Sequence, residues 1–61
     1  MAQLTAKELS AINELLAGEA HLVKKFQALA DSTDNAELKG KFTTISNKHQ
    51  QHFNSIYEYL N

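Results

Sequence analysis

The sequence predicts an all-α protein, an antiparallel two-helix hairpin that dimerises into a four-helix bundle. Two stretches with apolar residues at spacings of three and four predict two long helices. Four turn-forming residues separate them, and the 61 residues include no proline and two glycines. Because so little interrupts either stretch, we expect a single domain over residues 1–61, with helices at about 6–30 and 35–60 and a turn at 31–34.

The first helix is predicted to begin after Thr5. Thr5 and Glu8 have the spacing of a capping box, in which each side chain accepts a hydrogen bond from the other residue's backbone N–H. The apolar residues that follow form a heptad-like seam, and a second row of leucines widens it on one side. The seam comprises Leu9, Ile12, Leu16, Val23, Phe26 and Ala30, and the second row comprises Leu15, Leu22 and Leu29. This helix therefore carries more apolar surface than one neighbouring helix covers.

The second helix is predicted to begin after a cluster of turn-forming residues at 31–34. Asp34 and Glu37 repeat the capping-box spacing, so we expect Asp34 to cap this helix. Its seam comprises Leu38, Phe42, Ile45, Ile56 and Leu60, with Phe53 beside it. A reversal centred between Ser32 and Thr33 would place positions side by side when their numbers add up to about 65.

The shortness of the chain favours self-association. A chain of this length removes only about 60% of its unfolded surface from water on folding. The sequence contains no cysteine, so disulfides do not compensate. A twofold dimer of hairpins would cover the second row of leucines in a four-helix bundle. We therefore expect a homodimer or a larger homo-oligomer.

Composition argues against several classes of function. The net charge is −1 and all six basic residues are lysines, so nothing favours a nucleic-acid partner. Four lysines cluster near the turn and could contact an acidic partner: Lys24, Lys25, Lys39 and Lys41. An RNA-binding hairpin dimer is therefore an alternative. No apolar run is long enough for a membrane span, and no charged-then-apolar leader precedes the first helix, so we expect no export by a signal peptide. We also find no nucleophile–base pair, phosphate loop or paired catalytic acid, so we expect no enzyme.

Three ionisable side chains interrupt the two apolar seams. Where the spacing requires a core residue, the first helix has Glu19 and the second has His49 and His52. In the register given above, Glu19 lies level with Ser46 and about 4.5 Å along the axis from His49. His52 lies about 9 Å along the axis from Glu19, so we expect it to reach a different layer or the partner hairpin.

These residues have three interpretations. Glu19 hydrogen-bonded to His49, with Ser46 assisting, would form a structural polar layer that fixes the register. Alternatively, Glu19, His49 and His52 would ligate a divalent metal such as zinc, iron, manganese or nickel, and a dimer would double the ligand set. The third interpretation places the polar edge of the seam in solvent.

The glutamate on one helix and the histidine on the next, followed four places later by Phe53, resemble half of a ferritin-like bundle. Within that superfamily the chain resembles the spore coat F-type family, small helical proteins of spore-forming bacteria, over about residues 9–60. Two runs carry this resemblance: Asp34-Asn35-Ala36-Glu37-Leu38-Lys39 and Ser46-Asn47-Lys48-His49-Gln50-Gln51-His52-Phe53. The resemblance implies a non-enzymatic structural or assembly role and a cytoplasmic or spore-associated location. A metal-binding ferritin-like bundle that uses Glu19 and His49 is the alternative.

The sequence departs from the ferritin-like metal motif at one position. That motif is Glu-x-x-His on the second helix of each pair. In this chain Ser46 stands three residues before His49. A dimer therefore offers two carboxylates where the motif implies four, so we expect a single-metal or vestigial site and no di-iron oxidase chemistry.

Overall fold

The fold is known from a computed structural model that describes residues 3–60. Helix α1 spans Ala6–Ser32, helix α2 spans Ala36–Tyr57, and a 3₁₀ turn follows at Glu58–Leu60. The helices pack along each other as a rod of 47 × 16 × 11 Å. Within the described residues every regular element is helical, which confirms the predicted two-helix hairpin. Across residues 3–60, no helix combines the length and apolar content that a membrane span requires.

The start of α1 matches the predicted capping box. The Glu8 backbone N–H donates to Thr5 Oγ1 at 3.1 Å, and the Thr5 backbone N–H donates to Glu8 Oε1 at 2.9 Å. Two backbone donors that the helix itself leaves without partners are satisfied in this way. The sequence therefore determines where α1 begins.

The turn differs from its prediction at both ends. Helix α1 continues to Ser32, whose hydroxyl donates to the Leu29 carbonyl at 3.2 Å, so the connection is residues 33–35 and not 31–34. Asp34 is not the cap of α2. The cap is Asn35, whose Oδ1 accepts from the Leu38 N–H at 3.0 Å while its own N–H donates to Thr33 Oγ1 at 3.2 Å.

The far end of α2 also differs slightly from its prediction. The α-helix ends at Tyr57, and the last described residues tighten into the 3₁₀ turn, where the predicted helix continued to about residue 60. Such tightening is common in the final turn of a helix, because it satisfies carbonyls that an α-helix leaves unpaired.

The register of the two helices is shifted from its prediction by about three residues. Val23 faces Ser46 and Glu19 faces His49, so the numbers of facing positions add up to 69 and 68. The predicted value of 65 is wrong because the chain reverses around residue 34, not between Ser32 and Thr33. Three residues correspond to about 4.5 Å of sliding along the helix axis.

The core of the hairpin is a narrow line along α1. Leu16, Val23 and Ala30, one residue per heptad, are its buried apolar side chains, and Ser46 on α2 is 2% exposed. The second row of α1 is less covered: Leu15 is 55% exposed and Leu29 is 37% exposed. One partner helix therefore covers the predicted seam but leaves much of the leucine row open.

Candidate metal centre

Glu19, His49 and His52 form one cluster across the two helices. Glu19 Oε1 lies 2.7 Å from His49 Nδ1 and 3.6 Å from His52 Nδ1. One potential ligand atom from each residue lies within 4.8 Å of the others. The predicted meeting of Glu19 and His49 is confirmed.

The prediction that His52 lies in a different layer from Glu19 is wrong. In the observed register His49 lies level with Glu19, and His52 is one helical turn further along. Residues three apart on a helix are neighbours on its surface, so the two imidazoles point at the same carboxylate. The three-residue register shift is therefore what completes the cluster.

The cluster lies partly inside the hairpin and partly at its surface. The Glu19 and His49 side chains are 19% and 22% exposed, and the His52 side chain is 59% exposed. A largely shielded carboxylate requires a hydrogen-bond partner, and His49 provides it. His52 leaves one side of the cluster accessible from solvent.

Aromatic contacts hold the imidazole of His49 in place. The Phe26 ring stacks on it with centroids 6.0 Å apart at 16°, and Phe42 packs against Phe26 at 6.1 Å. His52 meets the His49 ring edge-on, at 5.6 Å and 86°. The heptad pattern predicts only a core position for Phe26 and carries no signal for this contact.

Carboxylate and imidazole ligands in this arrangement suit a divalent transition metal. In a tetrahedral zinc site with bonds of 2.0–2.1 Å, neighbouring ligand atoms lie about 3.3 Å apart. The two Glu19 contacts, at 2.7 and 3.6 Å, bracket that spacing, and all three ligand atoms lie within 4.8 Å of one another. Small side-chain movements would therefore convert the hydrogen-bonded cluster into a ligand set, with a fourth position left for water or another group.

Ser46 does not join this cluster. The sequence placed it level with Glu19 as an assisting hydroxyl, and this prediction is wrong. Its Oγ donates to the Val23 carbonyl at 3.1 Å, because the observed register brings Ser46 level with Val23. The position that carries a glutamate in the ferritin-like motif is therefore used here to pack α2 against the backbone of α1.

The lysines near the turn are partly engaged in local contacts. Lys39 Nζ donates to the Ala30 carbonyl at 3.0 Å, and Lys41 Nζ lies 3.7 Å from Glu37 Oε1. Lys24 and Lys25 are exposed on α1. The RNA-binding alternative thus rests on Lys24 and Lys25, and a salt-dependent gel shift that is lost on neutralising both would be its test.

The chain matches no protein-family model, no curated protein and no solved structure. The fold and the cluster alone define its class, a two-helix hairpin with a Glu–His–His group bridging its helices at mid-length. The resemblance to the ferritin-like superfamily stays a prediction.

Proposed function

We propose that this protein is a small non-enzymatic helical hairpin that binds a divalent metal ion through Glu19, His49 and His52. The observation that carries the proposal is the convergence of one ligand atom from each residue to within 4.8 Å, from two different helices. Two imidazoles and one carboxylate suit zinc, and also iron, manganese or nickel, better than they suit magnesium or calcium.

The third member of the cluster favours metal binding over a purely structural polar layer. Glu19 and His49 already satisfy each other at 2.7 Å, so a structural pair requires no further donor. His52 is more than half exposed, yet its Nδ1 lies 3.6 Å from the same carboxylate oxygen. A second imidazole nitrogen at this position contributes little to a buried pair, but it supplies the third ligand atom that a metal site needs.

The bound ion would act as a clamp between α1 and α2. It would bind the folded chain much better than the unfolded one, and such a ligand raises stability by about 2.7 kcal/mol when its concentration is one hundred times its dissociation constant. A hairpin with so narrow a buried core gains stability from such a clamp. The proposed role of the metal is therefore structural.

The test is isothermal titration of Zn²⁺ into chelator-treated protein. We expect wild-type binding, and a loss of affinity of at least about tenfold, or ~1.4 kcal/mol, for Glu19→Gln and for His49→Ala. Thermal melting gives a second readout, because zinc should raise the melting temperature of the wild type and leave both variants nearly unchanged.

The matched control is His21→Ala, which removes an exposed histidine of α1 outside the cluster. It should bind zinc as the wild type does. If none of zinc, iron, manganese and nickel changes the melting temperature of the wild type, the proposal is overturned. Glu19→Leu separates the two interpretations further, because a structural layer predicts equal or greater stability whereas a metal site predicts lost binding.

A structural role in a larger assembly, as in the spore coat F-type family, is the second candidate function. The exposed leucine row of α1 favours it, since apolar surface of this kind is typical of proteins that associate. This role and metal binding are compatible, because a metal clamp can stabilise the building block of an assembly.

A further inference from the structure

One side of the hairpin, called the open face here, carries apolar side chains on both helices and is interrupted at mid-length by the Glu19 cluster. Within each helix the residues on it are seven or eleven positions apart, a spacing that puts side chains on one stripe. They are Leu15, Leu22 and Leu29 from α1 and Leu38, Ile45 and Ile56 from α2. Near the free ends of the helices, Ile12, Leu15, Ile56 and Tyr59 border a single apolar groove, so the two stripes lie on the same side.

The other side of the hairpin is polar near the turn. A shallow groove on it is bordered mostly by polar side chains, Gln27, Asp31, Thr43, Ser46 and Asn47, together with Ala30. Helix pairs in larger bundles show the same contrast, with an apolar side that faces the core and a polar side that faces solvent. The open face is therefore the side that a partner would cover.

The surface area of the chain exceeds that of a compact monomer by about as much as one partner contributes to a standard interface. The hairpin exposes 4796 Å², about 800 Å² more than the ~4,000 Å² expected for a compact monomer of this length. A standard protein–protein interface removes about 800 Å² from each partner. The rod measures 47 × 16 Å in its two longer directions, so one broad side has about this area.

The Glu19 cluster reaches the open face at mid-length, because His52 follows Ile45 by seven residues and precedes Ile56 by four, which puts it on the same stripe of α2. Glu19 is the middle residue of α1, with thirteen helical residues on each side. His49 is near the middle of the second arm, which runs from Ala36 to Leu60. In a twofold dimer the same patch is used on both copies. When two open faces overlap fully, the middle of one hairpin therefore lies against the middle of the other. This holds whether the twofold axis runs along the rod or across it.

We infer that a second copy of this chain covers the open face, and that the two Glu19–His49–His52 clusters meet there to form one shared metal site. The shared site rests on the proposed function, whereas the dimer itself rests on the open face. His52, the most exposed member of the cluster, would be covered by the partner copy. The ligand position left open in one hairpin would be filled from the other.

The first measurement is the mass of the metal-free protein by light scattering over a range of chain concentrations. We expect two chains per particle at about 100 µM. Leu15→Glu and Leu29→Glu, each with one charge on the open face, should give one chain per particle. Gln27→Glu adds the same charge to the polar side of α1 and should stay dimeric. A single-chain mass for the wild type at this concentration would overturn the inference and leave the open face to a different partner.

The second measurement separates the shared site from a site complete in one chain. If both copies supply ligands, zinc affinity should fall at least about tenfold in Leu15→Glu and stay at the wild-type value in Gln27→Glu. Circular dichroism establishes that the variant remains helical. The wild type provides a test without substitution, because its zinc affinity should weaken as dilution takes it from dimer to monomer.

The outcomes distinguish the two proposals. A monomeric Leu15→Glu that binds zinc as the wild type does would overturn the shared site and leave the proposed metal function intact. A dimer that binds no zinc would overturn the metal function and with it the shared site, while the second copy on the open face would stand.

Discussion

The hydroxyl of Ser46 on α2 donates a hydrogen bond to the backbone carbonyl of Val23 on α1, at 3.1 Å. Ser46 is 2% exposed, so its small side chain lets α2 approach the backbone of α1 closely. The bond also fixes the register, because a slide of one residue would leave the hydroxyl buried without this acceptor. The alignment of Glu19 with His49, which creates the candidate metal centre, follows from this register.

Replacing Ser46 by alanine should lower the free energy of unfolding by about 1 kcal/mol. The Val23 carbonyl lies inside α1, where the helical ladder also pairs it, so the loss is that of one hydrogen bond and not of an orphaned group. For a domain of this size the melting temperature should fall by about 4–8 °C at fixed chain concentration. The control is Thr44→Ala, because Thr44 is exposed and its hydroxyl bonds only to the Gly40 carbonyl of its own helix. An equal loss of stability in both variants would contradict the special role of Ser46.

Lys39 stabilises the end of the opposite helix. Its Nζ donates to the Ala30 carbonyl at 3.0 Å, and the last turn of α1 contains no basic residue of its own. Lys39→Met should therefore lower the free energy of unfolding by about 0.5–1 kcal/mol, with a smaller effect at high salt. Lys41→Met is the matched control, since Lys41 is exposed and forms only the 3.7 Å pair with Glu37. It should change stability by less than about 0.5 kcal/mol. The prediction is wrong if Lys39→Met and Lys41→Met have the same melting temperature.

The capping box makes the stability of α1 depend on pH. Hydrogen bonds from the Thr5 backbone N–H and then from its side chain lower the pKa of Glu8 below its ordinary value of 4.5. Because the folded pKa lies below the unfolded one, this contribution is fully present above pH 4.5 and is lost as the pH falls through the lowered pKa. Glu8→Gln removes the titration but keeps a residue that suits a capping box. At about pH 7 we expect the wild type to have a larger free energy of unfolding than Glu8→Gln. At about pH 3 this difference should be smaller. Denaturant unfolding measures it, and a difference that grows in acid would contradict the assignment.

Gly18 lies in the middle of α1, where a glycine disfavours the helix. A Cβ added at Gly18 would meet no other atom within 4 Å. Gly18→Ala should therefore raise the free energy of unfolding by about 0.5–1 kcal/mol. Gly40→Ala, equally free of neighbours, should do the same for α2, and the two gains should add. A loss of stability in Gly18→Ala, measured by thermal melting, would mean that another molecule packs against that side of α1.

The sequence predicts the local features of this fold well, because they depend on neighbours a few residues apart. The capping box of Thr5 and Glu8 is such a feature. The turn is less predictable: Asp34 and Asn35 both suit a helix cap, and the choice of Asn35 depends on the bonds that it makes to Leu38 and Thr33. Moving the turn by one or two residues changes the secondary structure little. It does, however, decide which residues of α1 and α2 lie side by side.

The sequence by itself determined that the chain forms two helices, where the first begins, and that Glu19, His49 and His52 occupy positions reserved for apolar residues. Only the tertiary structure decided how these three residues meet. Moving the reversal to residue 34 slides one helix along the other by about 4.5 Å, which places His49 level with Glu19, brings His52 to 3.6 Å from it and turns Ser46 toward Val23. The physical reason is that periodicity fixes which side of a helix faces its neighbour, whereas the register between helices depends on the turn and on the contacts between them.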